Sequence, residues 1–260
     1  MKSIMKKIVT TILFALVAVI TFAQASNATA LKFLGFPVDG TKQQMIENLK
    51  SRGFSYNTFD DYLTGQFNGE YVQVLIHTNH SIVDRIVVVF PSTSSKSEIK
   101  NRFNRLLRQF ENNDKYFAFE KNEPIPMNED IAYELTVNDK LYQAGFYYVG
   151  DTPFEQTINN LCELVTSMLP EEQAASIVSD VNTFMETPTH ENVWIFEHLT
   201  ELLLNAEWTP EKVAQFSSIA NAVSSVYNSF VWFSIDNQGI DYNIDLFYDN
   251  RANMANGEDL

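Results

Sequence analysis

The chain has 260 residues, 45% of them hydrophobic, and a formal net charge of −15 from 33 acids against 18 lysines and arginines. That balance argues against nucleic acid and anionic membrane surfaces as partners, and leaves cations, basic partners or plain solubility as its purpose. With one cysteine, Cys162, the chain closes no internal disulfide and rests on packing for its stability.

Residues 1–25 read as a signal peptide: Lys2, Lys6 and Lys7 form a positive head, Ile8 to Ile20 an apolar core, and Ala23-Gln24-Ala25 a small-x-small cleavage site. The apolar run is shorter than the roughly 20 residues of a membrane span, and no cysteine follows it to carry a lipid. The expectation is export to the periplasm or beyond, with no lipid anchor and no stable membrane insertion. An uncleaved amino-terminal anchor is the alternative. Cleavage leaves 235 of the 260 residues and, because three lysines and no acid leave with the peptide, moves the charge from −15 to −18. A chain of that size buries roughly 70 per cent of its unfolded surface, enough for a core without staples.

Ser26 to Ala30 is a polar leader, and Leu31 to Val38, with Gly35 and Pro37, suits an irregular edge segment. Thr41 and Gln44 make a capping box at the start of a helix whose apolar stripe is Met45, Ile46 and Leu49, with Gly53 as its stop. Tyr62–Phe67 and Tyr71–His77 flank Asn68-Gly69, the dipeptide of a type I′ hairpin turn. A third strand, rich in β-branched residues, runs from Ile82 to Phe90 and stops at Pro91. Ser95 and Glu98 repeat the capping box before a second helix with Ile99, Phe103, Leu106, Leu107 and Phe110 on its buried stripe. The basic residues of that helix, Lys96, Lys100, Arg102, Arg105 and Arg108, scatter around its polar side, as a solvated face paired with the protein's own carboxylates would.

Strands are expected again at Lys115–Glu120, Asp130–Val137 and Leu141–Val149, the last two joined across Asn138-Asp139-Lys140. The helix-then-strands order therefore repeats, which points to a duplicated topology. From Asp151 to Tyr227 the apolar period switches from two to between three and four. Four helices follow, after Pro153, after Pro170, from about Glu191, and after Thr209-Pro210, an N-cap with proline at the first helical position. Phe230–Asp236 and Ile240–Tyr248 then form a hairpin. Val231, Phe233, Ile235, Tyr242, Ile244, Leu246 and Tyr248 face the core, while Trp232, Ser234, Asp241, Asn243 and Asp245 face away.

The chemistry-bearing residues form no catalytic, cofactor or metal motif. Asp241, Asn243 and Asp245 resemble the start of an EF-hand loop, but Leu246 and Ala252 stand where glycine and the bidentate acid belong. His77 and His80 bracket a turn, the His198 and Glu201 pair with Glu197 has the reverse order of a di-metal bundle motif, and His190 reads as a helix-start residue. Cys162 falls within an apolar helix stripe as a small core residue. Trp232, beside Asp241, Asn243 and Asp245, is the candidate ligand face, suited to a sugar or a cation; the alternative is that the inserted helices cover it.

The run from Phe33 to Thr41 (FLGFPVDGT), the Leu63-x-Gly65-x-Phe67-x-Gly69 hairpin, and Leu246 to Asn250 (LFYDN) with Gly257 to Leu260 (GEDL) resemble a group of secreted proteins of Gram-negative gut bacteria. The resemblance covers roughly Leu31–Val149 and Phe230–Leu260, not the helical stretch, and brings no activity with it. A helix followed by a strand meander is also similar to the fold of outer-membrane assembly lipoproteins and β-lactamase-inhibitor-like proteins, whose members bind other proteins; their lipid-anchor cysteine is missing here.

The expectation is thus an α+β protein: two helix-plus-antiparallel-strand units over 26–150 and 229–249, a four-helix insertion over 151–228, and a polar tail over 250–260. Its function is expected to be a non-catalytic, cofactor-free binding module of the bacterial envelope, recognising a protein or glycan. The alternative is a hydrolase of an envelope or dietary polymer that works with carboxylates.

Overall fold

The computed structural model describes residues 31–118, 122–150, 154–186, 203, 206–238 and 241–254. It is an α+β fold whose elements follow the chain as β1 (Lys32–Phe33), β2 (Phe36–Pro37), α1 (Lys42–Ser51), β3 (Ser55–Asn57), β4 (Tyr62–Phe67), β5 (Glu70–Asn79), β6 (Ile82–Val89) and α2 (Lys96–Glu111). There follow β7 (Tyr116–Phe117), α3 (Ile131–Val137), β8 (Gln143–Tyr148), α4 (Phe154–Met168), α5 (Glu171–Glu186), α6 (Pro210–Asn228), β9 (Ser229–Gln238) and β10 (Asp241–Asn250). The chain divides into two compact units, one of Ala30–Gly150 with Tyr227–Leu260 and one including Asp151–Val226.

In the first unit β1 and β2 form a separate two-stranded hairpin, and the other eight strands make one antiparallel sheet in the order β3-β4-β5-β6-β10-β9-β8-β7. Each half is a run of four strands in chain order, and the halves meet where their last strands, β6 and β10, pair. Local chemistry fixes the turns that make this possible. Asn68 (φ 52) and Gly69 (φ 78) both take the positive φ of a type I′ turn between β4 and β5, matching the right-handed twist of the strands.

The helices that cover this sheet start where their caps place them. At α1, the Gln44 backbone N–H donates to Thr41 Oγ1 at 3.3 Å while the Thr41 backbone N–H donates to Gln44 Oε1 at 3.1 Å. At α2, the Ser95 backbone N–H and hydroxyl both donate to Glu98 Oε2, at 2.9 and 2.7 Å. Both helices lay their apolar stripes on the same face of the sheet. Met45, Ile46 and Leu49 of α1 and Ile99, Phe103, Leu107 and Phe110 of α2 share one core with Val74, Val88, Phe233 and Leu246 of the strands. Phe103 meets Phe233 edge-on with ring centres 5.0 Å apart, and Phe110 stacks on Phe146 at 5.0 Å. Each buried side chain of this size contributes about 2 kcal/mol, so the stripes hold both helices in place.

The segment between α2 and β8 departs from expectation. Asp130–Val137 alternates like a strand, yet Ile131–Val137 is helical, because Asp130 Oδ1 accepts from the backbone N–H of Ala132 at 3.2 Å and of Tyr133 at 3.5 Å and starts a turn instead. No strand hairpin therefore spans Asn138-Asp139-Lys140; that turn joins a helix to β8. The strand expected at Lys115–Glu120 is described only as Tyr116–Phe117. Two asparagines tie this segment to its neighbours. Asn122 exchanges two hydrogen bonds with the backbone of Gly145 in β8, and Asn104 of α2 does the same with the backbone of Ile125.

Within the second unit α4 and α5 bury Ile158, Leu161, Leu164 and Val165 together with Ala174, Ile177 and Val181. Thr209 caps α6, its Oγ1 accepting from the Lys212 backbone N–H at 3.3 Å. Trp208 donates to the Leu203 carbonyl at 3.0 Å and meets Phe216 edge-on. The helix expected from about Glu191, and with it His190, Glu197, His198 and Glu201, lies outside the described residues, as do the side chains of Phe154, Phe184 and Val223. Among the described residues no helix is long and apolar enough to cross a membrane.

Candidate functional site

The face of the sheet turned away from α1 and α2 is built by the alternate residues of each strand, and the β9–β10 hairpin supplies its polar part. On β10 the side chains of Asp241, Asn243, Asp245, Phe247 and Asp249 succeed one another on this face, because Tyr242, Ile244, Leu246 and Tyr248 take the core. Across the ladder Asp236 stands opposite Asn243, Ser234 opposite Asp245, and Trp232 opposite Phe247. The register joins residues that no sequence spacing connects.

The two ends of this strip differ in character. Toward Asp249 everything is paired. Trp232 lies flat on Phe247, ring centres 4.0 Å apart and planes 10° from parallel, and its indole N–H donates to Asp249 Oδ2 at 2.9 Å. Arg85 of β6 donates to the same carboxylate from Nε at 2.6 Å and from Nη2 at 2.9 Å, with its guanidinium 5.4 Å from the Phe247 ring centre. This bidentate bond raises the Arg85 pKa against the opposing effect of burial.

Toward Asp241 the strip is acidic. Asp241 accepts a long 3.3 Å bond from the Thr93 hydroxyl. Asn243 is only 8% exposed, and its Oδ1 accepts no hydrogen bond. Asp245 is half-buried, and its carboxyl is pushed above the usual carboxylate range, first by burial and then by the charge of Asp236.

The sequence-predicted face of Trp232, Asp241, Asn243 and Asp245 is thus on one side of one hairpin, but its members do different things. The three β10 residues form a continuous row, whereas Trp232 faces Phe247 and is committed to Asp249. Sequence reasoning missed Asp236, Asp249 and Arg85. For Asp236 a signal existed in the alternation that carries on from Trp232 and Ser234, but only the register sets it opposite Asn243.

The other candidates resolve into ordinary contacts. His77 Nδ1 sits 2.8 Å from Asp84 Oδ1, and His80 is exposed in a positive-φ turn residue. Among the described residues no group of three or more histidines, cysteines, aspartates or glutamates is set to hold a metal. Cys162 is half-buried and burial pushes its thiol pKa up, away from a reactive thiolate. Three cations of α2 pair with the protein's own carboxylates, Arg102 and Arg105 with Glu70 and Lys96 with Asp130, while Lys100 is buried with its ammonium donating to the carbonyls of Met127 and Glu129. Lys100 is therefore a loop anchor and not part of a solvated face.

No protein-family model, no curated protein and no solved structure matches this chain.

Proposed function

We propose that this is a non-catalytic binding module exported to the bacterial envelope, which recognises a protein or glycan on the sheet face opposite α1 and α2. The observation that carries the reading is the exposure of large side chains there: Tyr71 and Leu75 of β5 are 60% and 40% exposed, on the face that also holds the Trp232–Phe247 stack. Aromatic residues with a polar tip on a rigid sheet bring contact area at low entropic cost. The acidic charge supports a basic partner, and the amino-terminal segment supports export.

The test is capture from envelope extracts and on glycan panels, comparing the parent protein with Tyr71→Ala/Leu75→Arg. A partner retained by the parent and lost by the variant supports the module; a monodisperse parent that retains nothing overturns it. Amino-terminal sequencing of the protein recovered from the periplasm should begin at Ser26. A second reading, a carboxylate hydrolase, is favoured by one observation, the raised Asp245 carboxyl beside Asp236. Hydrolysis of an envelope or dietary polymer that disappears in Asp245→Asn would establish it.

A further inference from the structure

Arg102, Arg105 and Gln109 stand at positions i, i+3 and i+7 of α2 and so form one ridge along the helix. The ridge faces Asn68 and Glu70 of the β4–β5 hairpin across a cleft whose apolar floor is Phe90, Leu106 and Ile244. Arg102 is fixed at the back: its Nη1 donates to the Ser92 carbonyl at 3.1 Å, and its guanidinium lies 5.0 Å from the Phe90 ring centre. Its Nη2 bonds Glu70 Oε2, while Arg105 Nη2 donates to the other oxygen, Oε1, at 2.6 Å. Two guanidiniums therefore share one carboxylate, and one positive charge of the cleft has no counter-charge among the lining residues.

Donors are left over as well. A guanidinium carries five N–H groups, and among the described residues Arg105 donates to Glu70 alone. Gln109 spends its carbonyl on the Asn68 amide, which donates to it at 2.7 Å, and among the described residues its own NH2 donates to nothing. We propose that this cleft binds the carboxylate of a short-chain monocarboxylic acid, held by Arg105 and Gln109 beside Glu70, with its alkyl chain toward Phe90, Leu106 and Ile244. The site lies apart from the recognition surface of the opposite sheet face and stands without it. A planar carboxylate matches the guanidinium fork. A monoanion brings the cleft to neutrality, whereas a phosphate dianion or an acidic protein meets added repulsion from a chain of net charge −15. The cleft encloses about 240 Å³, its mouth included, below the roughly 300–1,000 Å³ of sites for drug-sized ligands, so the acid is short. Glu70 is the internal competitor for the same two cations.

The test is an NMR titration of the purified protein at constant ionic strength, read on the side-chain N–H signals of Arg102, Arg105 and Gln109. The probes are propionate, propionamide as the neutral control of the same shape, inorganic phosphate and a tetraglutamate peptide. The expected result is a saturable shift with propionate at a Kd of about 1–10 mM and none with propionamide. Affinity should fall about tenfold in Arg105→Gln, and rise about tenfold in Glu70→Gln, which leaves both guanidiniums without their carboxylate. Arg105 is exposed, so its replacement leaves the core untouched, and circular dichroism verifies the fold of both variants. Absence of a saturable shift in the parent, an equal shift with propionamide, unchanged affinity in Arg105→Gln, or affinity in Glu70→Gln no tighter than the parent's overturns the site. Tighter binding of phosphate or of the peptide than of propionate overturns the assignment to a small monocarboxylic acid.

Discussion

Arg85 and Asp249 are direct partners across the β6–β10 seam, and the Arg85 guanidinium grips the Asp249 carboxylate through two hydrogen bonds of 2.6 and 2.9 Å. This is the one ladder at which the two four-stranded halves of the sheet meet. Asp249 is 4% exposed, so its charge is compatible with the fold only because Arg85 and the Trp232 indole satisfy it. Asp249→Ala leaves a guanidinium and an indole N–H without their acceptor, and should cost about 3 kcal/mol in chemical denaturation. Arg85→Ala should cost a comparable amount, and the double variant should cost clearly less than the sum, as expected for residues in one network.

Gly65 on β4 has no side chain for a reason that only the packed sheet reveals. A Cβ there would lie 2.5 Å from Phe54 Cδ1 and 2.6 Å from Cγ, so the buried ring would have to shift to admit it. Gly65→Ala should destabilise by about 1–3 kcal/mol. Gly145→Ala, where the Cβ would meet Phe230 Cζ at 2.6 Å, should behave the same way on β8. Thermal unfolding of both measures the effect.

The β4–β5 turn offers a backbone counterpart. Gly69 has open space around its Cα but a φ of +78, a region that L side chains rarely adopt. Gly69→Ala should therefore cost about 1 kcal/mol through strain alone, with no steric clash. The distinguishing measurement is Gly69→Asn, which tolerates that region and should recover most of the loss.

Two carboxylates should give opposite pH signatures. Glu129 accepts from Lys140 Nζ at 2.5 Å and from the Tyr142 hydroxyl, and these bonds hold its pKa below the usual glutamate value. Its folded pKa is depressed, so its contribution is present above the unfolded pKa and is lost as pH falls through the folded one. Glu129→Gln should lower Tm by about 2–4 °C at neutral pH and by less in acid.

Asp245 has the reverse sign. Its folded pKa is raised by burial and by Asp236, so stability is lost as pH rises from the ordinary carboxylate range through the raised value. Asp245→Asn should raise Tm at neutral pH, and the difference should vanish once the unfolded chain is also protonated. A pH series of melting curves separates the two cases, and a Tm of Asp245→Asn below that of the parent at neutral pH would count against the buried, uncompensated carboxylate.

What the sequence determined by itself was everything governed by neighbours along the chain. Both capping boxes, Thr41 with Gln44 and Ser95 with Glu98, the Asn68-Gly69 turn, and the alternation of Val231, Phe233 and Ile235 against Tyr242 to Tyr248 were legible because caps, turns and pleats act over a few residues. The same logic failed at Ile131–Val137, where four apolar residues at alternate positions are compatible with a strand but the Asp130 cap starts a helix. Only tertiary structure decided which residues meet across strands. The pairing of β6 with β10 brings Arg85 to Asp249 over a separation of 164 residues, and the β9–β10 register sets Asp236 against Asn243. Burial, pKa and unsatisfied hydrogen-bonding capacity follow from that juxtaposition. They are properties of packed groups in a low-dielectric interior, which a chain has only once it is folded.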